Sequence, residues 1–295
     1  MQSLPSNASM IGSRPEIDVP VGETTVVGDA ARPLTTWERV TNNPAARRLA
    51  VLAVFALLWE CAARWSDNPL MFPSLKETLE AFGAGIWNGS LLSRVGASLE
   101  VLAKGYSLAI LIATCLTIFA ISSSFGADVL TTLAGMFNPL PALAILPLAL
   151  LWFGLSTAGL MLVMVQSVVW TLAMNTFAGF QSVPATLRMA GQNFGLGRLR
   201  YIFLVLIPAA FPFILTGLKI GWAHAWRTLI GAELVFGVAS RSGGIGWYIY
   251  ENRAALETAN VFAGILSVIV IGFLVESLLF RTIELRTVRR WGMVH

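Results

Sequence analysis

The sequence predicts an all-α polytopic membrane protein with about six transmembrane helices. Hydrophobic residues make up 56% of its 295 residues and charged residues only 12%, against roughly 25% charged in soluble proteins. From Gly105 to Leu187 the only charged residue is Asp128, and a water-soluble fold would need a charged surface over that length. The composition therefore excludes a soluble enzyme, a DNA-binding protein and a disulfide-linked secreted domain.

Six apolar segments are long enough to cross a bilayer. They lie at about 49–65, 101–121, 129–153, 158–180, 203–226 and 261–280. The third contains Pro139, Pro141 and Pro147, and prolines in a membrane helix free carbonyls that protein or water must bind. We therefore expect the third span to be kinked and packed inside the bundle.

Two regions outside the spans have predicted structures of their own. Residues 1–45 are rich in Ser, Thr, Pro, Gly and charge, which predicts a disordered cytoplasmic tail before a transmembrane domain at 46–295. After the first span, Ser74 and Glu77 have the spacing of a capping box. We expect them to begin a short amphipathic helix at the membrane interface.

The basic residues predict the orientation. Twelve of the 20 Lys and Arg residues lie in the N-terminal tail, in the loop between the fourth and fifth spans, or after the sixth span. Cytoplasmic segments carry an excess of Lys and Arg, so both termini are predicted to be cytoplasmic. Because the net charge of +4 is spread along the chain, it does not predict nucleic-acid binding.

Several chemistries lack the residues they would need. None of the three lysines follows a glycine, so the P-loop is absent and a partner must bind any ATP that is used. Two histidines and two cysteines give no metal cluster, and Cys61 and Cys115 are expected to be small buried residues of apolar runs. We predict no catalytic residue, metal or other cofactor on this chain.

The polar loop at about 181–200 is predicted to carry the function. A serine and a proline at its start are typical of a helix beginning, and two glycines near its end are typical of a helix stop. The helix of about ten residues between them is too short to span a membrane. Leu187, Ala190 and Phe194 fall on one apolar face, so we expect this helix to dock onto a partner at the cytoplasmic surface.

This loop resembles the EAA loop of ABC importer permeases. That pattern is Glu-Ala-Ala, three residues, Gly, then about a dozen residues to a hydrophobic-Pro pair. Here the Glu-Ala-Ala positions hold Met, Ala and Gly, so the acidic residue and the second alanine are replaced. The ATPase-coupling residues that the resemblance implies are Met189, Ala190, Gly191, Gln192, Gly195 and Pro208.

Other segments resemble the nitrate, sulfonate and taurine branch of these permeases. They lie at 139–142, 151–154, 216–221, 231–234 and 244–246. The likeness covers about residues 49–290 and implies a type I ABC importer permease fold with a cytoplasmic coupling helix. It also implies a multi-pass protein of the bacterial inner (cytoplasmic) membrane.

The resemblance further implies a set of partners. Two permease copies form a homodimer in the lipid and bind two cytoplasmic ATP-binding subunits, whose clefts hold the coupling helices. ATP and magnesium bind to those subunits and not to this chain. An extracytoplasmic binding protein delivers the substrate, expected to be a small anion or organic acid such as nitrate, a sulfonate or taurine.

Three ionisable residues in or beside the fifth span are candidates for the translocation path or gate: Lys219, Arg227 and Glu233. Charges at membrane depth are costly and usually face a cavity or a partner. Either a basic residue helps an anion to pass, or Glu233 pairs with one of them to hold a gate. Alternatively Lys219 reaches the interface and an Arg227–Glu233 pair is structural. The glycine-rich segment 240–248 resembles the re-entrant segment that closes the outer side of such permeases.

Two other classes of membrane protein remain open on the sequence. A secondary transporter driven by an ion gradient would be expected to show internal repeats and paired broken helices, and the sequence shows no convincing repeat. A membrane structural or assembly protein would show no dependence on ATP.

Overall fold

A computed structural model describes residues 42–194, 196–236 and 243–288. Within these ranges the regular structure is helical, which confirms the predicted all-α class. Five of the described helices are long and apolar enough to cross a membrane, and one bent pair of helices is a sixth candidate span. Most of the predicted tail lies outside the described residues, and the division at residue 45 stays a prediction.

The helices follow one another along the chain with short connections. They are α1 Pro44–Ser66, α2 Leu75–Trp87, α3 Ser90–Ser122, α4 Ser124–Phe137, α5 Leu146–Phe153, α6 Thr157–Gln181, α7 Ala185–Asn193, α8 Arg198–Tyr201, α9 Ile207–Phe236, α10 Ile245–Ala254, α11 Thr258–Leu274 and α12 Arg281–Arg286. A 3-10 turn, Ala142–Ile145, precedes α5, and π-helical turns at Ile202–Leu206 and Val275–Phe280 precede α9 and α12. The described residues up to Val54 belong to one unit of the chain and those from Phe55 to a second, to which the features below belong.

The core forms where α6 packs against both α3 and α9. Small buried residues line the contact, among them Ala109 of α3 and Ala173 of α6. A Cβ atom at Gly217 of α9 would lie 3.0 Å from the Cβ atom of Asn175. Such small residues let membrane helices approach closely, and dispersion contacts then hold them together.

The third span is broken rather than only kinked. The axis of α4 meets that of the segment Ala142–Phe153 at 84°. Pro141 has no N–H group to donate to the carbonyl of Phe137, four residues earlier, so the helix cannot continue through it. The expectation that this segment packs inside the bundle is wrong at the break, because residues 135–141 are exposed.

The fifth span is longer than predicted. It was expected to end near Trp226 but continues to Phe236, so Arg227 and Glu233 both lie on α9. A charged residue in an apolar run usually marks the end of a span. Here the chain supplies partners for Glu233, and the helix continues past it.

Two expectations about individual residues have opposite outcomes. The capping box is present, since Ser74 Oγ accepts from Glu77 N at 3.2 Å and Glu77 Oε2 accepts from Ser74 N at 2.9 Å. The expectation that both cysteines are buried is wrong, because Cys61 and Cys115 lie on exposed faces of their helices.

Candidate functional site

The loop helix α7 is fastened to the end of α6 by one arginine. Arg188 Nη2 donates to the carbonyl oxygen of Phe180 at 2.6 Å, and Arg188 Nε donates to that of Val183 at 3.3 Å. The last carbonyls of a helix have no partner within it and carry partial negative charge, which a guanidinium satisfies. Arg188 therefore links α7 directly to the end of α6.

A second anchor holds α7 against the segment that leads into α9. Gly191 is buried, and a Cβ atom there would lie 2.7 Å from the Tyr201 ring and 3.4 Å from Val205 Cγ2. The ring thus occupies the space that an alanine would need. This contact gives a physical reason for glycine at the position where the EAA pattern has its second alanine.

Two apolar side chains of α7 and one directly after it are exposed. Leu187 is 41% exposed, Met189 54% and Phe194, directly after the helix, 82%. The side chains of Ala190 and Gln192 and the whole of Gly195 lie outside what the structure describes. The coupling role of all these residues stays a prediction.

Pro208 lies at the second residue of α9, directly after the π-helical turn Ile202–Leu206. Ile207 N donates to the carbonyl of Ile202, five residues earlier, so the helix is widened here. The wider turn accommodates a proline that has no N–H group and whose ring clashes with a regular preceding turn. Single π turns of this kind are frequent at functional sites.

Near the other end of α9, Glu233 is 2% exposed and is the one buried charged side chain of the described residues. Both of its oxygens lie 2.8 Å from Ser98 Oγ, whose single proton binds one of them at a time. Gly246 N donates to Glu233 Oε2, and Ile245 N donates to Ser98 Oγ, each at 2.9 Å. We name these four residues the Glu233 cluster; it joins α3, α9 and α10.

Two glycines let the start of α10 reach the carboxylate. A Cβ atom at Gly244 would collide with the Glu233 carboxylate, and one at Gly246 would lie 2.6 Å from the carbonyl oxygen of Ile230. The unpaired N–H groups at a helix start favour negative charge, so Glu233 acts as a cap supplied by another helix. The sequence resemblance singled out both glycines, but nothing in the sequence pointed to Ser98.

The structure gives the three candidate path or gate residues separate partners. Lys219 Nζ lies 2.7 Å from Glu284 Oε2 and 4.0 Å from Glu276 Oε1, which ties α9 to the last helical segment. Arg227 is exposed, and its Nε donates to the carbonyl oxygen of Ala223 at 3.0 Å. Because Glu233 binds Ser98 and Gly246, the considered Arg227–Glu233 pair does not form.

The candidate spans, together with the short helices α7 and α10 between them, are those of a polytopic membrane protein. A family model described as "Binding-protein-dependent transport system inner membrane component" matches residues 105–284. That match covers more than half of the chain, and the chain belongs to this family. It is a permease subunit of an ABC transport system and not an enzyme, as the sequence predicted.

Three relatives agree with the predicted branch. The taurine transport system permease protein TauC of Escherichia coli is 30% identical over 81% of this chain and 88% of its own length. The nitrate import permease protein NrtB of Synechocystis sp. is 29% identical over 78% of this chain and 85% of its own length. The putative aliphatic sulfonates transport permease protein SsuC of Bacillus subtilis is 28% identical over 88% of this chain and 94% of its own length.

Proposed function

We propose that the chain imports a small anion or organic acid, such as nitrate, a sulfonate or taurine. It works as a homodimer with two cytoplasmic ATPase subunits and an external binding protein, and both of its termini are cytoplasmic. The observation that carries this proposal is α7, a short helix with exposed apolar side chains held by two anchors. ATP and magnesium bind to the ATPase subunits.

The anchors suggest how α7 acts as the coupling helix. A partner that binds Leu187, Met189 and Phe194 would move the helix as a unit, because all three residues are exposed to such a contact. Arg188 carries that motion to the end of α6, and the contact of Gly191 with Tyr201 carries it to the start of α9. Since α6 and α9 pack together in the core, closure of the ATPase subunits would shift both.

The assignment is tested by purifying the tagged chain from its native membranes in mild detergent and measuring the ATPase subunit that comes with it. Phe194→Asp places a charge in the apolar contact, and we expect about tenfold less ATPase subunit, a loss of about 1.4 kcal/mol of binding. Trp87→Asp is the matched control. Its side chain is 94% exposed at the end of α2, on the opposite side of the membrane in the proposed orientation, and its ATPase recovery should equal that of wild type.

Two results would contradict the proposal. Wild-type protein that carries no ATPase subunit and no ATP hydrolysis, in a detergent that preserves membrane complexes, would favour an ion-gradient-driven carrier. Equal loss of ATPase in the Phe194 and Trp87 variants would show that any added charge disrupts the complex, and α7 would lose its assigned role.

A further inference from the structure

Polar side chains interrupt the apolar exterior at the break between α4 and α5. Asn138 is exposed in the break, and two residues of α6 reach toward it. Gln166 Nε2 donates to the carbonyl oxygen of Phe137 at 3.1 Å, and Thr171 Oγ1 donates to Asn138 Oδ1 at 3.3 Å. Pro141 cannot supply the regular helical donor to the Phe137 carbonyl, which accepts from Leu140 N at 3.2 Å in the turn and from Gln166. The polar residues of α6 thus add hydrogen bonds to the broken backbone.

The depth of these residues is the unusual feature. Gln166 and Thr171 each lie roughly 15 Å from the nearer end of α6, close to the middle of the span. Irregular backbone and polar side chains at that depth are tolerated only where protein buries them or water reaches them. Neither side chain is buried and Asn138 is exposed, so this chain alone does not cover them.

A positive charge lies on α9, the helix that packs against the turn after the break. Arg227 is exposed on α9, and Gly231 lies one turn further along the same helix face. A Cβ atom at Gly231 would lie 3.1 Å from Leu143 of the 3-10 turn that follows the break. The Arg227 face of α9 therefore adjoins the turn, and a guanidinium there has N–H donors in the planar arrangement that binds oxyanions.

We propose that Asn138, Gln166, Thr171 and Arg227 form a polar surface that lines the aqueous path and contacts a small oxyanion in transit. The inference rests on the proposed function, because it names the part of this chain that meets the imported anion. One cation among neutral amide and hydroxyl groups attracts a nitrate, carboxylate or sulfonate group. Such a surface binds weakly enough for the anion to leave, as conduction requires.

The test measures water and charge at this surface by cysteine labelling of the full chain in lipid nanodiscs. The background carries Cys61→Ser and Cys115→Ser, since both native cysteines are exposed. Two methanethiosulfonate reagents of opposite charge, an ethylsulfonate and an ethyltrimethylammonium, are applied to Thr171→Cys and Asn138→Cys, and each rate is divided by the rate of the same reagent with a free thiol. Leu111→Cys, at a 61% exposed position in the middle of α3, is the lipid-facing control.

We expect both path variants to react at least about tenfold faster than Leu111→Cys, because only a thiolate in contact with water is nucleophilic. The effect of the Arg227 charge is measured with a cysteine one helical turn away, in the variant Ala223→Cys. Adding Arg227→Gln there should lower the ratio of sulfonate to ammonium labelling rates about tenfold. Lys104→Gln, which removes an exposed cation from α3, should leave the ratio unchanged.

Labelling at Thr171 and Asn138 no faster than at Leu111 would overturn the proposal, because lipid or a second copy would then cover the surface. If Arg227→Gln leaves the ratio of labelling rates unchanged, Arg227 does not attract anions to this surface, and the proposed contact with an oxyanion is wrong. The labelling requires neither ATP nor a binding protein. Failure of the proposed function, seen as a missing ATPase subunit, is thus distinguishable from failure of this inference.

Discussion

The two ends of α9 are built in opposite ways. Near Phe236, the Glu233 cluster is buried, its hydrogen bonds join three helices, and two glycines leave no space for a side chain. Before Ile207, the loop helix α7 is exposed along most of its length and is held by Arg188 and Gly191. The first region is stabilised within the chain, whereas the second leaves apolar surface for a partner.

Because of this difference, we expect substitutions at the two ends of α9 to change different properties of the protein. In the Glu233 cluster, a lost group leaves buried donors without acceptors, so the free energy of unfolding should fall. At Met189 and Phe194, a shortened side chain removes little contact within the chain, so partner binding should change much more than stability. A permease driven by an external ATPase would need both properties: a rigid end of α9 at the Glu233 cluster and a movable end beside α7.

Glu233→Ala should have the largest effect on stability. It removes the acceptor of Ser98 Oγ and Gly246 N in a site closed to water. Hydrogen bonds to a charged group are worth about 1.5–3 kcal/mol each, and unpaired buried donors add to the loss, so we expect unfolding free energy to fall by about 3 kcal/mol. Unfolding in detergent, followed by circular dichroism against added denaturant, measures it.

Glu233→Gln is the matched control, because its amide keeps an oxygen for Gly246 N and an N–H donor for Ser98 Oγ. It should lose less than half of what the alanine variant loses. Equal losses in the two variants would show that the negative charge itself, facing the start of α10, holds the cluster. If neither variant lowers the free energy of unfolding, Glu233 does not stabilise this end of α9, and the contrast drawn between the two ends of α9 is wrong.

The sequence predicted those features of the fold that depend on residues close together in the chain. Long apolar runs located the candidate spans, and the spacing of Ser74 and Glu77 predicted the capping box. Three prolines predicted a kink in the third span, where the structure has a break. The flanking serine, proline and glycines placed the loop helix near its observed bounds, Ala185–Asn193. Each of these depends on residues close together in the chain.

What the sequence could not show depends on residues far apart in it. Ser98 and Glu233 are 135 positions apart, and a lone serine in an apolar helix carries no signal. The partner of Lys219, Glu284, is 65 positions away. For the same reason the end of the fifth span was misplaced, because only the fold shows that Glu233 has buried partners.

Gly191→Leu should have an intermediate effect, and of a different kind. The side chain would enter the space of the Tyr201 ring, so α7 must move away from its anchor. Overpacking of this sort costs about 1–3 kcal/mol, and we expect the lower end because α7 is mostly exposed. The larger change should be in coupling, measured as ATP hydrolysis stimulated by the loaded binding protein.

Gly197→Leu is the control for that change, because a Cβ atom at Gly197 would meet no atom within 4 Å. It should leave both stability and stimulated hydrolysis near wild type. If the two leucine variants behave alike, the contact with Tyr201 does not position α7, and the loop is held by Arg188 alone.

Glu251→Gln should have the smallest effect on the free energy of unfolding. It tests whether α10 is held by the buried hydrogen bonds of Glu233 or by an exposed ion pair. Arg94 Nη2 lies 2.9 Å from Glu251 Oε2, and this pair joins α3 to α10, as Ser98 does in the cluster. The Glu251 side chain is 53% exposed, and such pairs contribute about 0.2–1 kcal/mol, less as salt rises. Unfolding at low and high salt should show a small loss that salt removes. A loss as large as that of Glu233→Ala, unchanged by salt, would mean that α10 is held by its exposed ion pair, and the contrast between the two ends of α9 would no longer rest on buried hydrogen bonds.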